Sequence, residues 1–291
     1  MKLFDKFESC PQCGSQDLNP LNDYAENYLC KCRFCKFVFC NRRPTNTELK
    51  DHYSLYPHTG RISEITISRY EELLNFFEKF RSTNNLIDVG CGDGFFLEVA
   101  KRRNWNVFGT EFTQDAIAIC RQKGIQMKES PIDPEQFAPE SFDIITSFEV
   151  LEHIDNCSSE LSTFYKLLRK EGIVYVTTPN WNSISRNILK SNWNIIEYPE
   201  HLSYYTKNTL KSFFLRNNFK LLKITTTGIS INRIRASSSK ILRTPASNNL
   251  DEALRQTIEN RLIFRWLKLA INAILNLTGK GDSIKGIFQK L

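Results

Sequence analysis

The chain has 291 residues, 41% hydrophobic and 24% charged, which is enough to bury at least one large core, and it carries a net charge of +7. Lys2, Asp5, Lys6 and Glu8 interrupt the first nine residues and no apolar run reaches spanning length, so a cytoplasmic protein without secretory leader or transmembrane segment is expected. Residues 229–291 hold eleven Lys or Arg against four Asp or Glu, which is the whole net charge, so any anionic partner is expected at that segment.

Six of the nine cysteines fall within the first forty residues. Cys10-Pro11-Gln12-Cys13 and Cys32-Arg33-Phe34-Cys35 are two C-x2-C knuckles, a spacing that offers four thiolates to a tetrahedral metal. A zinc ribbon is therefore expected over 1–45, with structural Zn2+ on Cys10, Cys13, Cys32 and Cys35. A redox pair or unligated thiols are the competing readings. Cys30 could replace Cys32, but the resulting C-x4-C pair makes a poorer knuckle. Cys30 and Cys40 are thus ranked as spares, and Cys91, Cys120 and Cys157 as ordinary reduced thiols.

Residues 46–85 read as a helical cap. A helix is expected to begin at Thr47–Tyr53, and a second over 62–80 has apolar residues at 62, 65, 70, 73, 74, 77 and 80. Tyr53, Tyr56 and His58 lie between them as possible pocket residues.

The most informative stretch is Leu86-Ile87-Asp88-Val89-Gly90-Cys91-Gly92-Asp93-Gly94, a short apolar strand running into glycines at alternate positions and then a helix start. A dinucleotide fingerprint fails because its third glycine would fall at Phe95. A phosphate cradle is disfavoured too, since no Lys or Arg lies between Asp88 and Ala100 while Asp88, Asp93 and Glu98 make the region acidic. The loop expects a cationic ligand.

Asp88-x-Gly90-x-Gly92-x-Gly94 is followed by Val107-Phe108-Gly109-Thr110-Glu111 and by Phe142-Asp143-Ile144-Ile145-Thr146-Ser147-Phe148-Glu149-Val150-Leu151-Glu152-His153. Leu168-Arg169-Lys170-Glu171-Gly172-Ile173 and Thr177-Thr178-Pro179-Asn180 then complete the order. In this order the chain resembles class I S-adenosylmethionine-dependent methyltransferases over residues 86–228. The resemblance implies S-adenosyl-L-methionine as cofactor, held by Asp88, Gly90, Gly92 and Gly94, with Glu111 on the ribose hydroxyls, Asp133 near the adenine and Glu149 facing the methionine end.

The fold class expected is α/β, a doubly wound Rossmann-like sheet with strands at 86–89, 106–110, 125–128, 142–147, 172–178 and 219–227. Asp282–Lys290 resembles the family's closing antiparallel strand, displaced by an insertion over 229–281. Within that insertion the apolar, basic run 261–277 reads either as an amphipathic helix at a membrane surface or as a core-packing or homodimer helix, the second being favoured.

An acceptor hydroxyl needs a base, and His153 and His201 are the two histidines the fold would bring to the crevice. Glu152 and His153 are expected to open the next helix. Trp193, Tyr198, Tyr204 and Tyr205 surround His201 in sequence, and aromatic faces suit sugar or ring acceptors. The run Cys32–Thr45 is also similar to the segment preceding methyltransferase domains in some sugar-modifying enzymes. The leading reading is O-methylation of a saccharide or other small-molecule hydroxyl, lipid- or nucleotide-linked. An aromatic or quinone acceptor and carbon methylation of a nucleotide-linked sugar stay open, as does a non-catalytic scaffold. An RNA methyltransferase is disfavoured because Phe148–His153 lacks an Asn-Pro-Pro-Tyr type of motif.

Overall fold

The computed structural model describes residues 6–53, 62–229 and 262–291. Tyr56 and His58 lie outside the described residues. A seven-stranded sheet is built from β4 (Asn85–Val89), β5 (Asn106–Glu111), β6 (Gln126–Glu129), β7 (Phe142–Phe148), β8 (Leu168–Pro179), β10 (Phe219–Thr227) and β11 (Ser283–Lys290), in the order β10-β11-β8-β7-β4-β5-β6. β4 through β8 pair in parallel, and β11 runs antiparallel between β8 and β10, with Ser283 opposite Pro179. This is the doubly wound α/β architecture with its displaced closing strand.

The strands form where apolar runs are continuous, because helices cover both faces and neither side of a central strand meets water. Along β7, Ile144 joins the cluster of Leu86, Phe96, Leu97 and Ile173, whereas Ile145 joins Val89, Phe164, Val174 and Phe288 on the other face. The first face is layered by α2 (Glu64–Phe77), α3 (Phe95–Arg102) and α4 (Gln114–Gln122), the second by α5 (Cys157–Leu167) and α7 (Lys207–Arg216). α2 belongs to that layer: its Leu74 and Phe77 are buried, and Tyr70 and Phe77 meet Phe96 edge-on.

One buried charge ties the lower edge of the sheet together. Asp143 of β7 accepts backbone N–H groups from Ser82 at 2.8 Å, Thr83 at 3.0 Å and Asn84 at 2.8 Å, and pairs with Arg169. Burial pushes its carboxyl up, but the Ser82 amide and Arg169 outweigh it and hold the group below the usual carboxylate range.

The N-terminal residues form β1 (Leu18–Pro20), β2 (Leu29–Cys32) and β3 (Val38–Cys40), an antiparallel ribbon completed by a strand from far along the chain, β9 (Ser203–Tyr204). Val38 pairs with Tyr204 and Phe39 with Ser203. Behind this seam Tyr24, Trp181, Trp193, Leu202 and Tyr204 form one cluster. The aromatic residues flanking His201 are therefore packing residues and not an acceptor wall: Trp193, Tyr204 and Tyr205 are buried. Tyr198 packs on Arg42, whose guanidinium sits 4.9 Å from the Tyr28 ring, 4.8 Å from the Tyr198 ring and 2.6 Å from Glu48 of α1 (Asn46–Tyr53).

A second correction concerns His153. Leu151–His153 form a short 3-10 turn, and α5 begins only at Cys157, where Asn156 Oδ1 accepts the Ser159 N–H as its cap.

Candidate active site

The ends of β4, β5, β7 and β8 open on one edge of the sheet, where ligands of doubly wound folds bind. Gly90, Gly92 and Gly94 all adopt left-handed φ, at +67°, +53° and +73°, yet they serve different ends. A Cβ on Gly90 would lie 2.5 Å from Val150 Cγ2, and one on Gly94 2.7 Å from both Cys120 Sγ and Ile125 Cδ1, so these two permit close packing. A Cβ on Gly92 would meet nothing within 4 Å. Gly92 is the glycine that faces open space, which is where a ligand can lie against the backbone.

Glu111 ends β5 beside it. Its Oε2 accepts the Gly92 N–H at 2.8 Å and its Oε1 the Phe112 N–H at 2.7 Å, so the carboxylate sits at the mouth of the glycine loop. Asp88 lies beneath, buried, accepting the Thr146 hydroxyl at 2.7 Å. Burial and the nearby Glu111 push its carboxyl up to about 8, against the pull of Thr146. A cation arriving above this pair would be met by two acids, one of them still holding its proton at neutral pH. Asp133 is exposed and caps the Pro134–Gln136 turn, its Oδ1 accepting the Glu135 N–H at 2.9 Å.

Glu149 follows the last residue of β7 with φ +54°, a left-handed conformation that a residue with a Cβ adopts only when its surroundings impose it. Its N–H donates to the Thr177 carbonyl at 3.0 Å, and Ser283 donates to its Oε1 at 3.3 Å. Next to it, Glu152, His153 and His201 bring one carboxylate oxygen and two ring nitrogens within 4.8 Å of one another, with the two imidazoles 4.7 Å apart. Burial and the adjacent Glu149 push the Glu152 carboxyl well up. Burial pulls the His153 imidazole down, so it stays neutral near pH 7. Its Nδ1 lies 2.9 Å from the Glu200 carbonyl, a group that only accepts, which puts a ring proton on Nδ1.

The fold thus gathers both expected histidines beside Glu149, and it adds two residues that sequence reasoning missed. His52 of α1 reaches Glu200 Oε2 at 3.5 Å, so three of the chain's four histidines stand in one cluster. No sequence pattern marks His52 or Glu200; only the folding of α1 and of the 197–202 turn over the Leu151–His153 turn brings them in.

At the N-terminus, Cys10 Sγ lies 3.5 Å from Cys35 Sγ and Cys13 Sγ 3.6 Å from Cys32 Sγ, and all four sulfurs fall within 4.8 Å of one another. The Cys10 hydrogen bond pulls the Cys35 thiol down. Cys30 and Cys40 stand apart from the cluster, and Cys40 donates to the Arg42 carbonyl. Cys91, Cys120 and Cys157, like the other six, form no disulfide, and Cys120 Sγ donates to the Gly92 carbonyl at 3.2 Å.

Known proteins resemble this chain in part of its sequence and in its fold. A ubiquinone biosynthesis O-methyltransferase from Pseudomonas putida is 32% identical over 104 residues, 33% of this chain and 45% of that protein, so the match spans less than half the length of the relative. Among solved structures, a SAM-dependent methyltransferase from Archaeoglobus fulgidus superposes with a TM-score of 0.53 at 21% identity, over 78% of this chain and 94% of that one. The cyclase SpnF superposes with a TM-score of 0.52 at 16% identity, over 85% and 97%. These two likenesses speak for the fold, and the cyclase shows that the fold alone does not fix the reaction. Residues 62–224, more than half of the sequence, match the model of the methyltransferase domain, and the chain belongs to that family.

Proposed function

We propose that the chain is an S-adenosylmethionine-dependent O-methyltransferase acting on a small-molecule hydroxyl. The observation that carries this reading is a single sheet edge where the open face of Gly92, the Glu111 carboxylate and the acidic histidine cluster stand together. The residues present suit the cofactor: the glycine loop leaves room for a flat ligand, Glu111 offers two oxygens to vicinal hydroxyls, and Asp88 and Glu149 suit its positive charges. Bound there, S-adenosylmethionine supplies an electrophilic methyl group for in-line displacement.

The protein's own contribution is position and proton removal. His201 would take the acceptor's hydroxyl proton when the methyl group is transferred. His153, held through Nδ1 by the Glu200 carbonyl, fixes the ring beside it. His201→Ala should lower turnover about 10²–10⁴-fold while cofactor affinity changes less than about twofold. Equal losses in turnover and in calorimetric affinity would remove His201 from the base role.

Asp88 makes cofactor affinity depend on pH. Its carboxyl loses its proton only near pH 8, and a cation favours the ionised form, so affinity should weaken by up to about tenfold per unit as pH falls below 8. Asp88→Asn should flatten that slope; an unchanged slope in calorimetry places the proton elsewhere.

For the acceptor, the likeness to the Pseudomonas putida ubiquinone biosynthesis O-methyltransferase favours a ring hydroxyl of the kind met in quinone synthesis. The saccharide expectation loses the support of Trp193, Tyr204 and Tyr205, which are interior. The four thiols suit structural zinc: at a Zn–S distance of about 2.3 Å a tetrahedron has sulfur–sulfur edges of about 3.8 Å, close to the separations of the two hydrogen-bonded pairs.

A further inference from the structure

Two sulfurs meet beside the glycine loop. Cys91 sits between Gly90 and Gly92, and its Sγ lies 3.9 Å from Cys120 Sγ on α4 and 4.0 Å from Met127 Sδ on β6. Gly109 leaves the room for it, since a Cβ there would come within 2.7 Å of Cys91 Sγ. Outside the N-terminal four, this is the one pair of thiols in contact among the described residues. The pair also helps to hold the loop. Cys120 Sγ donates to the Gly92 carbonyl at 3.2 Å, while the Gly92 N–H donates to Glu111 Oε2 at 2.8 Å. Gly92 is thus fixed through both of its backbone groups, by a thiol on one side and a carboxylate on the other.

We propose that Cys91 and Cys120 close into a disulfide when the protein meets hydrogen peroxide, and that this bond loosens Gly92 and lowers cofactor affinity. Cys91, half-buried where Cys120 is buried, is the thiol a peroxide reaches first. Its sulfur attacks one peroxide oxygen, becoming a sulfenic acid as the first water leaves, and the Cys120 sulfur then displaces the hydroxyl as a second water. Two thiols lose two electrons and two protons, and one peroxide is reduced to two waters. The Cys91 hydrogen bond and Lys123 outweigh burial and pull the Cys120 thiol down, which favours the thiolate that the second step uses. The sulfurs must close from 3.9 Å to about 2.05 Å. α4 is anchored by its buried Ala116 and Ile117, so the loop is the part that moves: glycines flank Cys91, and a Cβ on Gly92 would meet nothing within 4 Å. A disulfide has no S–H, so the Gly92 carbonyl loses its donor, and the pull on Cys91 draws the adjoining N–H from Glu111.

The disulfide is independent of the methyl-transfer reading, whereas its effect on affinity rests on the cofactor proposed above, so the two are measured separately. The full-length chain, freed of reductant, treated with hydrogen peroxide and alkylated with N-ethylmaleimide, should yield on digestion a peptide pair joined through Cys91 and Cys120. Mass spectrometry should find that pair lighter by two hydrogens than its separate halves. Amide exchange over residues 90–94 should quicken in the oxidised form. Calorimetric affinity for S-adenosylmethionine should fall at least about tenfold, the worth of one good backbone contact, and dithiothreitol should restore it. Cys120→Ser and Cys91→Ser should each abolish both the joined peptide and the response to peroxide. Absence of the joined peptide overturns the proposal, as does a joined peptide with unchanged exchange and affinity. An affinity loss that persists in both variants belongs to the N-terminal thiols and overturns it too. A reduced protein that takes up no S-adenosylmethionine removes the cofactor reading and the affinity effect with it, while the joined peptide and the exchange still decide the disulfide.

Discussion

Gly92→Arg should abolish cofactor binding and leave the protein folded. The substituted residue keeps a left-handed φ, at a cost of about 1–2 kcal/mol, and its Cβ enters open space, so the loop retains its shape. The guanidinium then occupies the space above the glycine loop and pairs with Glu111, removing the carboxylate from the ribose and setting a positive charge against a sulfonium. Affinity for S-adenosylmethionine should fall at least about a hundredfold, the loss of one well-formed charged contact together with the blocked surface. Calorimetry beside a thermal melt measures both halves. Gly94→Arg supplies the contrast, because its Cβ collides with Cys120 and Ile125 and should cost the fold itself. Normal heat from Gly92→Arg would move the ligand site away from this loop.

The second large effect is expected at the thiol cluster. Cys35→Ser should release one zinc per chain and unfold the ribbon, since structural zinc contributes on the order of 10 kcal/mol to a small module of this type. The damage should travel. β3 pairs with β9, the Cys40 N–H donates to the Leu202 carbonyl at 2.8 Å, and His201 immediately precedes that residue, so turnover should fall with the metal although Cys10, Cys13, Cys32 and Cys35 lie outside the crevice. Elemental analysis of the purified protein is the direct measurement; unchanged zinc in Cys35→Ser, or none in the wild type, removes the metal from the account.

How much of this was readable in the sequence depended on whether a residue's role was local. The central strands were legible because a strand covered on both faces must be apolar throughout, as in Phe142–Phe148. The glycine loop was legible because its left-handed turns leave little choice of residue. β9 was not, since two residues carry no periodicity and the partner that makes them a strand lies more than 160 positions earlier in sequence. The aromatic residues around His201 misled for the same reason: nearness in sequence suggested a ligand wall, whereas the ribbon, distant in sequence, buries them. The true start of α5 was available in Asn156-Cys157-Ser158-Ser159, a capping pattern that lies past Glu152 and His153, where the helix was expected to open. The direction of the helix Leu262–Thr278 could not be read at all, because its periodicity says that one face is apolar but not which way the face turns.

The seam between β3 and β9 sets limits on how this protein can be cut or recombined. A fragment lacking the ribbon would bare the edge of Ser203–Tyr204 together with Trp181 and Trp193, inviting adhesion between copies. Any chimera that borrows the N-terminal ribbon must therefore carry residues 180–206 with it, and evolution of acceptor choice is bound to treat the two stretches as one heritable unit.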